Sequence, residues 1–331
     1  MVNLEDMQAN ADWIPHQFDP RRKAVQFVRF RQESFEEYGF LAAKRGDADV
    51  WVGVDEVKAM RPQRGGLHFI FHSGFCRSTL SLRALAFPNR IRGLNEPEIL
   101  NSLARSGTLD PELVSSILAF LGRPGAMHDT VLIKPSNFPN RLIPDLLTGR
   151  SDAQAIIVTN QLIEFLKAIV RKGMLGRQWG RQVYLAAATY AGDARPFEEA
   201  MPGMTDLQVA GLGWLLSQNW FQTQITGRHG ERIAVLHSEM LDQNRREAVA
   251  CSAKHLNLAI DRDIETIISG SVFEQDAKTG SDYAEKKAVD DRRSNSAVVE
   301  EEIAEVDWWI SELAKASGLT VPVQQSLRYE G

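Results

Sequence analysis

FIFHSGFCRSTLSLRAL (residues 69–85) decides how the chain is read. A run of bulky apolar residues stops at His72. Ser73, Gly74, Phe75, Cys76, Arg77, Ser78 and Thr79 follow, and a helical pattern then begins. An apolar run without alternation fits a strand covered on both faces, the pattern of parallel sheets. In such sheets ligands collect where strand C-termini meet helix N-termini, because the helix's free N–H groups and dipole attract anions there. Gly74 permits a tight turn, Arg77 can grip an oxyanion with two parallel hydrogen bonds, and Ser78 and Thr79 add hydroxyls at the first helical turn. Three donor types converge where the helix opens, which favours an anion loop over a plain Gly–Ser turn.

Further β-like runs are AVQFVRF (24–30), TVLIKP (130–135), QAIIVT (154–159) and RIAVLHS (232–238), beside LHFIFHS (67–73) itself. Helical patterns lie between them. In DPELVSSILAFLG, Asp110 is an N-cap, Pro111 takes the first helical position, and Leu113, Val114, Ile117, Leu118 and Leu121 form one face before Gly122 stops it. TDLQVAGLGWLLSQNWFQ (205–222) places Val209, Leu212, Leu216 and Trp220 on one stripe, and EEIAEVDWWISELAKASG closes at Gly318. Trp214, Trp220, Trp308 and Trp309 fall at helical spacings and read as core. Strand–helix alternation predicts an α/β fold in three layers, with a mostly parallel central sheet flanked by helices. There is no internal repeat or visible linker. The chain therefore reads as one domain over 1–331, with its core at about 67–317 and a strand/helix extension over 1–66. The most polar stretch, 274–296, reads as a loop and then a helix with Asp282 and Glu285 as capping box.

Of the 331 residues, 44% are hydrophobic and 24% charged, with a net charge of −5, ordinary values for a globular chain and against a surface built to bind nucleic acid. Cys76 and Cys251 are too few for a disulfide framework or a zinc site. The N-terminus lacks a signal-peptide pattern and no apolar run reaches membrane-spanning length, so a reducing cytoplasm is expected and a membrane is not.

The loop lacks the spacing and the lysine of G-x-x-x-x-G-K-[ST], and QAIIVTN ends without an aspartate for magnesium. A metal is therefore not expected. Cys76 sits directly beside Arg77, the wrong spacing for a phosphatase nucleophile, and reads as a small, partly buried loop residue.

In order and spacing the chain resembles the sulfotransferase family, P-loop-like enzymes that use 3′-phosphoadenosine 5′-phosphosulfate (PAPS), and especially its bacterial and tyrosylprotein branches. FIFHSGFCRSTLSLRAL is similar to that family's 5′-phosphosulfate loop. GLNEPEIL (93–100) falls where a glutamate ends a strand, and VLIKPSNFPNRLIPDLL (131–147) with QAIIVTNQLIEFLKAIVRKG (154–173) is similar to its lysine strand and 3′-phosphate segment. VLHSEMLDQNRREAVACSAKHLNL (235–258) is similar to its late strand and helix. The resemblance implies a P-loop-like fold. It also implies a cofactor site of Ser73, Gly74, Phe75, Cys76, Arg77, Ser78 and Thr79, with Glu96 as base and Lys134 on the transferring group. In the family the 3′-phosphate is held by an arginine and a serine; Thr159 and Lys167 stand at those positions here. Lys278, with Lys286, Lys287, Arg292 and Arg293, falls where the family closes over the cofactor.

Each residue also has a plainer reading. Glu96 suits a helix-dipole charge as well as a base, Lys134 a lysine snorkelling from a strand end, His72 a satisfied half-buried histidine, and Asn137, Asn140 and Arg141 helix caps. The expected function is sulfuryl transfer to a hydroxyl or amine of a small-molecule or peptide acceptor. The rivals are a magnesium-dependent P-loop kinase or NTPase, and a protein that keeps the fold and binds a nucleotide or partner without turnover.

Overall fold

The computed structural model describes residues 3–37, 39–107, 109–192, 197, 200–260, 263–275, 296–324 and 327. Helix α1 (Leu4–Ala9) leads into β1 (Trp13–Asp19) and β2 (Ala24–Arg29); α2 (Glu33–Glu36), β3 (Ala48–Gly53) and α3 (Val54–Ala59) follow. These three strands pair antiparallel in the order β1-β2-β3. The run at 24–30 is thus a strand, but outside the central sheet: it pairs antiparallel with β1 and β3 in a separate layer, with Gln26 half-buried and Arg29 exposed. That layer is not detached. Val25 and Phe27 share one apolar cluster with Phe69 and Phe71, and Phe27 meets Phe120 edge-on at 4.8 Å. Arg123, buried at 2% exposure, donates to the carbonyls of Met7, Gln8 and Trp13. Arg92 donates to Ala11 O and Asp12. Two buried guanidiniums therefore tie the N-terminal segment down through backbone carbonyls.

The central sheet begins with β4 (Gly66–His72), followed by α4 (Ser78–Leu85), β5 (Ile91–Asn95), α5 (Glu98–Arg105) and α6 (Pro111–Leu121). Next come β6 (Thr130–Lys134), α7 (Ile143–Gly149), β7 (Ala155–Thr159), α8 (Leu162–Arg171), α9 (Gly173–Ala188) and α10 (Asp206–Thr226). The chain continues through β8 (Ile233–His237), α11 (Met240–Gln243), α12 (Arg245–His255), α13 (Ile264–Ser269) and α14 (Ala297–Ala316). The five strands are parallel in the order β5-β6-β4-β7-β8. Successive residues of β4 serve opposite layers: Phe69 and Phe71 join the cluster with α6 and α7, whereas Ile70 joins the one with α4 and α12. This is a three-layer α/β fold with a parallel central sheet flanked by helices, as expected.

The sheet order fixes where ligands can gather. From β4 the chain runs to β5 and β6 on one side, then crosses to β7 and β8 on the other. The order reverses at β4, and the crevice beyond its C-terminal end is the topological switch point. Residues 73–77 lie there.

Local readings fare unevenly. Asp110 caps α6 as expected, its carboxylate accepting from the N–H groups of Glu112 and Leu113. Helix α10 starts with a capping box of Thr205 and Gln208 and is buried nearly all round, not along one stripe, because it lies between α9 and α14. Trp214 is core, and Trp220 and Trp309 are partly so, but Trp308 is 68% exposed. Its place on the outer face of α14, midway between the buried Val306 and Ile310, corrects the core reading. The capping box at Asp282 and Glu285 lies outside the described residues. Among the described residues no helix is long and apolar enough to cross a membrane.

Candidate active site at the end of strand β4

The loop after His72 is shaped by three left-handed residues, Gly74 (φ 91°), Phe75 (φ 49°) and Arg77 (φ 60°). Only Gly74 adopts this without steric cost; a side chain there would fall against the Trp179 ring of α9. Backbone strain at non-glycine residues persists where surroundings over-determine it. Here they do. His72 Nδ1 accepts from the Gly74 N–H (3.1 Å), and its Nε2 faces Pro135 O at 3.0 Å, which places the ring proton on Nε2. The amides of Asn137 and Asn140 both donate to His72 O, at 3.1 and 2.9 Å. Ser73 Oγ donates to Asn160 Oδ1 at 3.1 Å, and Asn160 Nδ2 reaches Phe75 O at 3.4 Å. Phe75 packs on Trp179 (4.5 Å) and Phe165 (6.2 Å).

Among the described residues the N–H groups of Thr79 and Leu80, in the first turn of α4, have no acceptor, nor do the hydroxyls of Ser78 and Thr79 donate to one. These donors stand beside strained backbone at a helix N-terminus, the arrangement that suits an anion. Arg77 is ion-paired with Asp242 of α11, so an anion entering the loop would compete with that carboxylate. Cys76 differs from its expected partial burial. It is fully buried, its thiol donates to Val158 O at 3.1 Å, and burial pushes the thiol up from its ordinary value despite nearby donors. Its side chain belongs to the core, leaving only its backbone to the loop.

Lys134 ends β6 at 1% exposure and is ion-paired with Glu96, which directly follows β5. Glu96 N–H donates to Lys134 O at 2.7 Å, and Glu96 itself is left-handed (φ 54°). A lysine snorkelling into water is therefore not what the strand end holds. The ammonium also lies 5.7 Å from the Phe40 ring centroid, and Pro135, the next residue, meets His72 Nε2 through its carbonyl at 3.0 Å, which puts the pair beside the loop. Only Glu96 Oε1 is engaged by Lys134; Oε2 has no hydrogen-bond donor among the described residues. Glu98 begins α5 and accepts from Asn101 and Arg105. It stands apart from the Glu96 pair.

The remaining predicted residues sit elsewhere. Thr159 is buried at the end of β7, where its hydroxyl accepts from Gln218 (3.0 Å), so its side chain serves the core. Lys167 lies on the exposed side of α8 in an ion pair with Glu164 at 3.1 Å, engaged there and not by the loop. Arg141 donates to Ala104 O. Lys278 and the cluster at Lys286, Lys287, Arg292 and Arg293 lie outside the described residues. Sequence reasoning missed Asn160, which pins Ser73 and Phe75, and Asp242, the partner of Arg77. A polar residue directly after an apolar strand was the only hint of Asn160; Asp242 gave none, being 165 residues away in sequence. No family model and no curated protein matches the chain.

Proposed function

We propose that the chain transfers a sulfuryl group from PAPS to a hydroxyl or amine acceptor, with the loop 73–79 holding the 5′-phosphosulfate. The observation that carries this reading is the Glu96–Lys134 pair, set on adjacent strand ends beside the loop. Sulfuryl transfer is an in-line displacement that needs a base at the attacking atom and positive charge to stabilise the transferring group and its leaving oxygen. Glu96 Oε2 takes the proton from the acceptor O–H or N–H as the new O–S or N–S bond forms. The breaking S–O bond leaves its electron pair on the 5′-phosphate oxygen. Lys134, the first-turn N–H groups of α4 and Arg77, once exchanged from Asp242, stabilise that charge. The loop's lack of the P-loop lysine supports this over magnesium-dependent phosphoryl transfer. Two buried thiols fit a reducing cytoplasm.

The test is which nucleotide raises the melting temperature: adenosine 3′,5′-bisphosphate or ATP with magnesium. The bisphosphate is expected to stabilise, by about 2.7 kcal/mol at a hundred times its Kd. Stabilisation by ATP with magnesium alone would turn the reading to a kinase or NTPase. Stabilisation by neither would remove the nucleotide altogether.

A further inference from the structure

A cleft of about 190 Å³ opens beside the start of α8, lined by none of the loop residues 73–79. Leu162, Ile163, Ile310, Val321 and Pro322 supply apolar walls, and Gln161, Trp214, Asp307 and Ser311 supply polar groups. Among the described residues none of the four polar side chains has a hydrogen-bond partner. The Trp214 indole N–H is buried without an acceptor in a residue only 1% exposed, and such orphaned donors are rare. Asp307, Ser311 and the Gln161 amide make no side-chain hydrogen bond or ion pair among the described residues. Small-molecule sites have this make-up: apolar walls with a few convergent polar groups.

The charge in the cleft selects the ligand. Burial raises the Asp307 carboxyl above its ordinary value, and among the described residues no cation pairs with it. A half-buried carboxylate without a cation is costly unless a ligand supplies one. An anion is disfavoured further, because Glu239 already accepts from the Gln161 N–H at the start of α8 (3.3 Å). The cleft has room for about six waters at roughly 30 Å³ each, so for a ligand of similarly few heavy atoms.

We infer that this cleft binds a small primary amine with a short alkyl chain, its ammonium on Asp307 and any acceptor oxygen on the Trp214 indole N–H. Ser311 and Gln161 complete the polar ring, and the chain lies on Leu162, Ile310 and Pro322. None of its lining residues belongs to the β4 loop, and the inference does not depend on which nucleotide that loop takes.

The full chain labelled with 5-fluorotryptophan tests this by ¹⁹F NMR, with the Trp214 signal assigned through Trp214→Phe. The probes are n-butylamine and 4-amino-1-butanol against 1-butanol and butyrate. Both amines are expected to shift the Trp214 signal saturably, 4-amino-1-butanol binding the more tightly. Asp307→Asn should raise the amine Kd at least about tenfold, as loss of a charge-assisted bond does. Calorimetric titration of wild type and Asp307→Asn gives the same comparison if Trp214→Phe does not fold. Unchanged amine affinity in Asp307→Asn would overturn the inference. So would binding of butanol or butyrate as tight as that of the amines, or no amine binding at all.

Discussion

Glu96 and Lys134 face each other across the C-terminal ends of β5 and β6, joined twice: by an ion pair between side chains and by the Glu96 N–H on Lys134 O (2.7 Å). The first link keeps a buried ammonium paired. The second holds Glu96 in the left-handed backbone that turns its carboxylate back toward the strand ends.

Removing one member should therefore cost more than removing both. Glu96→Ala takes the carboxylate away from a buried ammonium, and a loss of about 2–4 kcal/mol in urea unfolding is expected. The double change Glu96→Ala with Lys134→Met should recover most of it. Glu96→Gln, which keeps a hydrogen-bond acceptor, should lower kcat about 10²–10⁴-fold once an acceptor is in hand, with cofactor affinity near wild type. Full activity in Glu96→Gln would leave the pair a purely structural one.

Gly74→Ala should damage the loop more than the fold. Its φ of 91° and the Trp179 ring both oppose a Cβ, and a cost of about 1–3 kcal/mol follows from forcing a side chain into that backbone region. Combining it with Trp179→Leu relieves the ring contact but not the φ. Only part of the lost stability should then return, as read from thermal melts of the two variants.

Arg77 and Asp242 should act in opposite directions on anion affinity. Arg77→Ala is expected to weaken adenosine 3′,5′-bisphosphate binding roughly ten- to a hundredfold in calorimetry. Asp242→Asn removes a competitor and should tighten it, by up to about fivefold, since an exposed pair is worth at most ~1 kcal/mol. Both effects should shrink as salt rises. Equal affinity across wild type and both variants would take Arg77 out of the site.

Acid should destabilise the protein through two buried histidines. Burial lowers His68 and His128 to about 4, well under the ordinary 6.5. The unfolded chain thus takes up their protons first as pH falls. The stability they contribute is complete above about pH 6.5 and is lost progressively as pH drops through 6.5 toward 4. His68 Nδ1 accepts from the Gln154 N–H (3.1 Å), a bond that protonation breaks. Urea midpoints at pH 7 and pH 5 should differ in wild type and differ less in His68→Asn, which keeps an acceptor but does not titrate.

The strands of the parallel sheet were legible where burial on both faces makes them continuously apolar. β4, β6, β7 and β8 carry that mark. β5, IRGLN, does not: it is short and includes Arg92, whose two terminal guanidinium nitrogens donate to Ala11 O, Asp12 and Gln32 from the N-terminal segment. A strand whose charge is neutralised by distant residues looks polar in sequence. The run at 24–30 was legible as a strand but not as a member of a different sheet, because strand character is local and partner choice is not.

Chemistry divides along the same line. The loop was readable from local sequence: a strand end, Gly74, and donors at a helix start follow from neighbours within a dozen residues, and so does the expectation of an anion there. Local sequence also placed Lys134 at a strand end, whereas Glu96 came to one only through the family resemblance. That those two meet followed from the fold, since β5 and β6 become neighbours through a crossover of two helices. The tertiary structure likewise decided that Asn160 pins the loop, that Asp242 holds Arg77, and that Thr159 and Lys167 are engaged away from it. Direction and burial of a side chain depend on what packs against it from far along the chain, and a thiol, hydroxyl or ammonium acts according to those surroundings.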